Sequence, residues 1–165
     1  MEEVILVNEQ DQALGVMEKM EAHRKGLLHR AFSVFVFNSN GELLLQQRAH
    51  DKYHSAGLWT NTCCSHPRPG EDTLAAAHRR LQEEMGFDTL LEFKTSFIYN
   101  TPFDNHLTEH EFDHVFIGVY DQAPRINPSE VADFKWVSLA HIKSDIQAHP
   151  ETYTSWFKIV MHNVF

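Results

Sequence analysis

The sequence predicts an α+β fold: a mixed β-sheet sandwiched between helices, with one helix at its centre that carries the chemistry. Three observations predict it. Apolar runs of strand length fill the first fifty residues and return after residue 90. One strongly patterned helix separates the two sets. The last thirty residues carry helical signals. A chain of 165 residues with 42% apolar and 22% charged side chains suits one globular domain, spanning residues 1–165, with a real core.

Taken in order, Val4–Val7 reads as a strand and Ala13–Met17 as its hairpin partner across Asp11 and Gln12. Residues 19–26 are polar and turn-like, with room for a short helical turn. The run R-A-F-S-V-F-V-F (Arg30–Phe37) is nearly all apolar, which predicts a strand buried on both faces. Asn38–Gly41 is a turn, and Glu42–Gln47 returns as the next strand. Asp72 and Thr73 are helix N-cap types, and Glu71 and Asp72 suit the positive end of a helix dipole. Leu74, Ala77, Leu81 and Met85 recur at helical spacing, and Gly86 is placed for a left-handed residue beyond the last turn. Arg80 and Glu84 share one face of this helix, and Arg79 and Glu83 form the neighbouring row. Beyond it, Glu92–Asn100, Glu109–Tyr120 and Ala132–Val137 read as strands, with a loop at Pro102–Leu107. Ser138 opens a helix to about Ile146, and a second helix runs from Thr152 to the end.

Composition excludes several roles. A net charge of -9 argues against a general nucleic-acid surface or an anionic membrane surface, so an anionic ligand has to be met by a local cluster of Lys and Arg. No apolar run approaches membrane-spanning length, and the first residues lack the plan of a signal peptide. Two adjacent cysteines make no ordinary disulfide framework, which predicts a reducing, cytoplasmic setting. The reading is of a monomer or homodimer acting on a small molecule.

The segment from Trp59 to Phe87 gathers a thiol pair, a histidine, arginines and paired glutamates. Glu71, Arg79, Glu83, Glu84 and Gly86 match the Nudix box, G-x5-E-x7-R-E-U-x-E-E-x-G-U, with Leu81 and Phe87 at apolar positions. Ser65 stands where the box begins with glycine, and Arg80 replaces the glutamate after the arginine. An arginine there removes a metal ligand and adds a fork suited to phosphate. Upstream, T-N-T-C-C-S-H-P places Asn61, Cys64, His66 and Pro67 in the pattern N-x-x-C-x-H-P. This resembles the active-site segment of type I isopentenyl-diphosphate isomerases, which have a Nudix-like fold with a degenerate box; the resemblance runs over nearly the whole chain.

Glu109 and Glu111 are two apart on a predicted strand, so both point to one face, which costs repulsion unless a cation or donor compensates. A solvent-facing strand edge is the ordinary alternative. His23 and His29 taken singly are ordinary histidines; together with these carboxylates they make a plausible transition-metal site. The resemblance implies His23, His29, His66, Glu109 and Glu111 as ligands of one Mn²⁺ or Zn²⁺. It further implies Lys19, Arg48, Lys52 and Arg80 as a diphosphate grip. Glu84 then holds a Mg²⁺ that also binds the diphosphate, with a main-chain carbonyl near Cys64. For the five-carbon alkene tail, Trp59, Tyr99, Phe35 and Trp156 are aromatic candidates. Of these, Trp156 and Tyr99 match family positions, Trp156 to face a cation and Tyr99 to reach the acidic residue.

The implied reaction interconverts isopentenyl diphosphate and dimethylallyl diphosphate in isoprenoid biosynthesis. It proceeds by proton transfer through a tertiary carbocation, with Cys64 and Glu111 as the acid–base pair. Cys64 is expected to rest as a thiolate near a helix N-terminus and cations, and Glu111 to hold a proton. Two rivals stand beside this reading. One is a Nudix-type nucleoside diphosphate hydrolase, against which Arg80 and Ser65 argue. The other is a non-catalytic module in which Cys63, Cys64 and His66 hold a structural zinc, although structural zinc usually takes cysteines spaced C-x2–4-C.

Overall fold

The structure, a computed structural model, describes residues 1–52, 54–103 and 106–165. Its frame is β3 (His29–Phe37), whose apolar run is buried along nearly its whole length. Four further strands pair with β3: β1 (Glu3–Val7), β4 (Glu42–Arg48), β6 (Cys63–Ser65) and β8 (Thr108–Val119). The β3–β8 pairing is parallel and runs from His29↔Glu111 to Phe37↔Val119, so the sheet is mixed. On the outside, β2 (Ala13–Glu18) pairs with β1, and β7 (Leu91–Pro102) pairs with β8. Both β5 (Trp59–Thr60) and β9 (Val131–Ser138) pair with β4.

Strand alternation sorts the core into two layers. Phe32, Val34 and Val36 of β3 pack with Leu44, Cys63 and the inner face of α2 (Thr73–Met85), which is Ala76, Ala77, Leu81 and Met85. Phe35 packs on the other side with Leu43, Leu45 and Val115. It is covered by Ile142 of α3 (Leu139–Ala148) and by Phe157, Val160 and Met161 of α4 (Ser155–Val164). Helices therefore lie on both faces, as the sequence predicts.

Local chemistry sets the helix ends. The Asp72 carboxylate accepts from the Ala75 amide, and Gly86 sits at φ 69° with its amide donating to Gln82. Leu74 lies outside the buried stripe, at 38% exposure. Residues 19–25 are a full helix, α1 (Lys19–Lys25), rather than a turn, because Glu18 caps the amides of Met20 and Glu21 and Gly26 closes it at φ 62°. The last helix starts at Ser155, not Thr152. Pro150–Thr152 forms a 3₁₀ turn, and Thr154 caps α4 through the Phe157 amide. The Cys-bearing segment forms the short strands β5 and β6, for which no strand is predicted. Of the predicted loop Pro102–Leu107, residues 104 and 105 lie outside the described residues, and Pro102 ends β7.

Candidate active site and metal centre

Strand register assembles the site. Ser33 stands opposite Cys64 on β6, His29 opposite Glu111 on β8, and Tyr99 of β7 opposite Glu111. His23 comes from α1, which packs beside β8. Trp156 enters from the first turn of α4. Cys64, His66, Tyr99, Glu109, Glu111 and Trp156 line one cavity of about 550 Å³, together with Lys19, Arg48, Lys52, Arg80 and Glu84.

His23, His29, His66 and Glu111 each offer a ligand atom within 4.8 Å of the others. Glu111 Oε2 lies 3.1 Å from His29 Nε2 and 2.8 Å from His66 Nε2. The His29 Nδ1 donates to the Leu27 carbonyl at 2.9 Å, which leaves its Nε2 lone pair facing the cluster. His23 is fully buried, and neither ring nitrogen has a hydrogen-bond partner among the described residues. Two orphaned buried nitrogens are costly in an empty protein and ordinary for a metal ligand. The cluster therefore fits a metal ion. Glu109, the fifth expected ligand, stands outside the tight group and reaches it through Tyr99, whose hydroxyl lies 2.7 Å from Glu109 Oε1 and 2.7 Å from Glu111 Oε1.

The electrostatics correct two expectations. Burial alone would raise the Glu111 carboxyl, but His66 and His29 hold it well below the usual carboxylate range. It is Glu109 that burial and the neighbouring Glu111 push upward, together with the fully buried Asp113. Cys64 is not poised as a thiolate: burial, reinforced by Asp113, pushes the thiol well above its ordinary range. Its sulfur lies 2.9 Å from Asn61 Oδ1 and 3.8 Å from the Ser33 hydroxyl, with neutral partners rather than cations. Desolvation and the charge of His66 drive the His23 imidazole down to about 4.

Cys63 lies on the opposite face of β6, in the core against α2, 3.4 Å from Glu84 Oε2. The two cysteines point apart, so they do not form a joint zinc site. Glu84 also accepts from Gln46 at 3.0 Å and from Arg80 at 2.9 Å. The other box residues hold the fold. Arg79 forks onto both oxygens of Glu71 at 2.8 and 2.9 Å, and Glu71 in turn accepts from the Arg68 amide, pinning the loop ahead of α2.

The cations surround the cavity, but carboxylates accompany three of them. Lys19 lies 2.8 Å from Glu2, Lys52 lies 3.6 Å from Glu130, and Arg80 contacts Glu83, Glu84 and Glu130. Arg48 lies over the Trp156 ring at 5.1 Å. Of the aromatic candidates, Tyr99 and Trp156 line the cavity. Phe35 and Trp59 belong to the apolar layer under α4, because strand alternation turns them away from it.

Sequence reasoning missed Ser33, His54 and Glu130, which line the cavity, and Asp113, which lies buried behind Ser33. His54 stacks on Phe103 at 4.4 Å and meets Trp156 edge-on at 5.7 Å. Ser33 donates to both oxygens of Asp113 at 3.0 and 2.8 Å. Asp113 had a legible signal, since it continues the Glu109–Glu111 alternation along one strand face. Glu130 had none, because its role depends on where the chain before β9 lies.

A family model described as "NUDIX domain" matches residues 27–157. Isopentenyl-diphosphate Delta-isomerase 2 of Photorhabdus laumondii is 54% identical over 161 residues, covering 98% of this chain and 91% of the relative. Isopentenyl-diphosphate Delta-isomerase of Pectobacterium atrosepticum is 53% identical over 162 residues, covering 98% and 90%. Among solved structures, DR0079 from Deinococcus radiodurans aligns with a TM-score of 0.84 at 23% identity, covering 99% of each chain. The MutT protein from Methanosarcina mazei aligns with a TM-score of 0.68 at 19% identity, covering 83% of this chain and 92% of that one. At those identities the structural neighbours speak for the fold alone.

Proposed function

The chain belongs to the isopentenyl-diphosphate Delta-isomerases, within the NUDIX domain family, and on that premise we propose that Cys64 and Glu111 are its acid–base pair. The enzyme interconverts isopentenyl diphosphate and dimethylallyl diphosphate. The observation that carries the assignment of the pair is the register of β6, β3, β8 and β7. It turns Cys64 and Glu111 into one cavity and sets Tyr99 2.7 Å from Glu111.

An unactivated alkene is a weak base, so the proton must come from a well-placed group in a site that excludes water. The double-bond electrons take a proton at C4, leaving a tertiary cation at C3. Removal of a proton from C2 then forms the new double bond. One member of the pair donates and the other accepts, and in the reverse direction they exchange roles. Trp156 presents an aromatic face to the cation. Tyr99 holds Glu111 in place from the β7 side.

His23, His29, His66, Glu111 and, through a small shift about Tyr99, Glu109 are the residues to hold one Mn²⁺ or Zn²⁺, since imidazole favours these over Mg²⁺. Bound there, the ion would supply positive charge that favours the ionised form of Glu111. Lys19, Arg48, Lys52 and Arg80 bind the diphosphate. Glu84 would be a protein ligand for a Mg²⁺ that accompanies the diphosphate, since Mg²⁺ on phosphates typically takes few protein carboxylates. We place the whole activity in one domain, residues 1–165, acting in the cytoplasm as a monomer or homodimer.

Incubation of the purified protein with isopentenyl diphosphate and Mg²⁺ tests this reading. It predicts an acid-labile allylic product, and its loss in Cys64→Ala with the circular dichroism spectrum unchanged. Hydrolysis of nucleoside diphosphates by a protein that forms no allylic product would replace the isomerase with the Nudix-hydrolase reading.

A further inference from the structure

Glu130 precedes β9 and is held from both sides by main chain. Its amide donates to Asn127 at 2.9 Å, and its carbonyl accepts from Ala49 at 3.1 Å. Asn127 in turn donates its amide to the Glu84 carbonyl at 2.9 Å, which ties this segment to the end of α2. The Glu130 side chain therefore leaves a fixed backbone at the meeting point of α2 and the residues after β4. Its two oxygens are divided between the two cations of those elements. Oε2 lies 2.7 Å from Arg80 Nη2, and Oε1 lies 3.6 Å from Lys52 Nζ. The same Arg80 nitrogen is 2.9 Å from Glu84 Oε2. Glu130 thus occupies, with a carboxylate, the place between two cations where a diphosphate oxygen would bridge them.

We propose that Glu130 is a specificity-determining residue: a built-in competitor that keeps free diphosphate off Lys52 and Arg80 and admits it as its Mg²⁺ complex. The inference rests on the diphosphate-binding role proposed above for Lys52 and Arg80. With Glu83, Glu84 and Glu130 all on Arg80, that guanidinium is already matched by carboxylates before any ligand arrives. A bare diphosphate meets two carboxylates as well as two cations there. A diphosphate carrying Mg²⁺ brings a cation that the Glu84 and Glu130 carboxylates both attract, so the same charges oppose one ligand and favour the other. Neither Nudix-box spacing nor the cysteine motif includes Glu130.

Titration calorimetry with inorganic pyrophosphate, with and without Mg²⁺, tests the proposal on the full chain. Wild type is expected to bind far more weakly without Mg²⁺ than with it. Glu130→Gln should tighten the Mg²⁺-free binding on the order of tenfold, the scale of one partly exposed charge, and narrow the gap between the two conditions. Glu130→Asp keeps the charge and should keep most of the gap, which separates a charge effect from damage to the segment. Unchanged or weaker Mg²⁺-free binding in Glu130→Gln, alongside normal binding by wild type, overturns the inference alone; it would make Glu130 a brace for Arg80. Failure of wild type to bind pyrophosphate under either condition removes the diphosphate assignment and the inference with it.

Discussion

Cys63 and Cys64 are neighbours in the chain, yet one packs against α2 and the other faces the cavity. Alternation along a strand is enough to give two identical residues different chemistry. Cys64→Ala should lower turnover by at least about 10³-fold, as expected for loss of one acid–base group, whereas Cys63→Ala should cost no more than about tenfold. Steady-state rates on folded variants check both. Tyr99 is the pivot between two carboxyls whose like charges would otherwise repel. Tyr99→Phe removes both hydrogen bonds, and its kcat should fall more than its KM rises, because Glu111 loses its orientation while the diphosphate grip stays intact. A rise in KM alone would refute that role.

At the scale of elements, the loop ahead of α2 is held by the Arg79–Glu71 fork. The Glu71 carboxyl lies below its ordinary value of 4.5, chiefly because Arg79 hydrogen-bonds its ionised form. A carboxyl depressed in the folded state lends stability that is fully present above its unfolded value and is lost as pH falls through the folded one. Glu71→Gln should therefore be less stable than wild type at neutral pH, and the difference should shrink as acid takes both proteins below about pH 4. Denaturant melts at pH 7 and pH 3.5 measure it. Gly86 ends α2 in a left-handed conformation, and an added Cβ would collide with the Arg125 carbonyl. Gly86→Ala should thus destabilise by more than the roughly 1 kcal/mol of a simple left-handed penalty, since the segment leading to Glu130 must shift as well. The helices α2, α3 and α4, the buried strand β3 and the two-sided sheet are legible because periodicity and caps are local signals. The strands β5 and β6 were not, because they are only two and three residues long and exist through pairing with β4 and β3. The helix α1 shows in the sequence as a polar, turn-like stretch with room for only a short helical turn, because its apolar stripe is short and Glu18 is an uncommon cap.

Across the whole molecule, the site is a product of pairings between segments as far apart as His29 and Glu111. Residue types could be named from motifs, but which carboxyl is held ionised, and whether the thiol is charged, depends on burial and on neighbours that only the fold supplies. That is why Cys64, expected as a thiolate, stands as a half-buried thiol, and why Glu130 and His54 are not legible in the sequence, whereas Asp113 is. The His/Glu cluster also makes a claim about composition. Protein purified without chelators should carry about one equivalent of a transition metal by elemental analysis, and His23→Ala should lose it, because the buried His23 nitrogens make no hydrogen bond among the described residues and are left for the ion. Full metal content in His23→Ala would remove that residue from the site.

The most direct test of the central claim is a proton NMR experiment on isopentenyl diphosphate in D₂O with Mg²⁺ and the enzyme, set beside Cys64→Ala and Glu111→Gln. A two-group mechanism predicts deuterium entering the new methyl group and C2 with wild type, and neither signal with either folded variant. Isomerisation by wild type without solvent deuterium in the methyl group, or turnover persisting in Cys64→Ala, would contradict it.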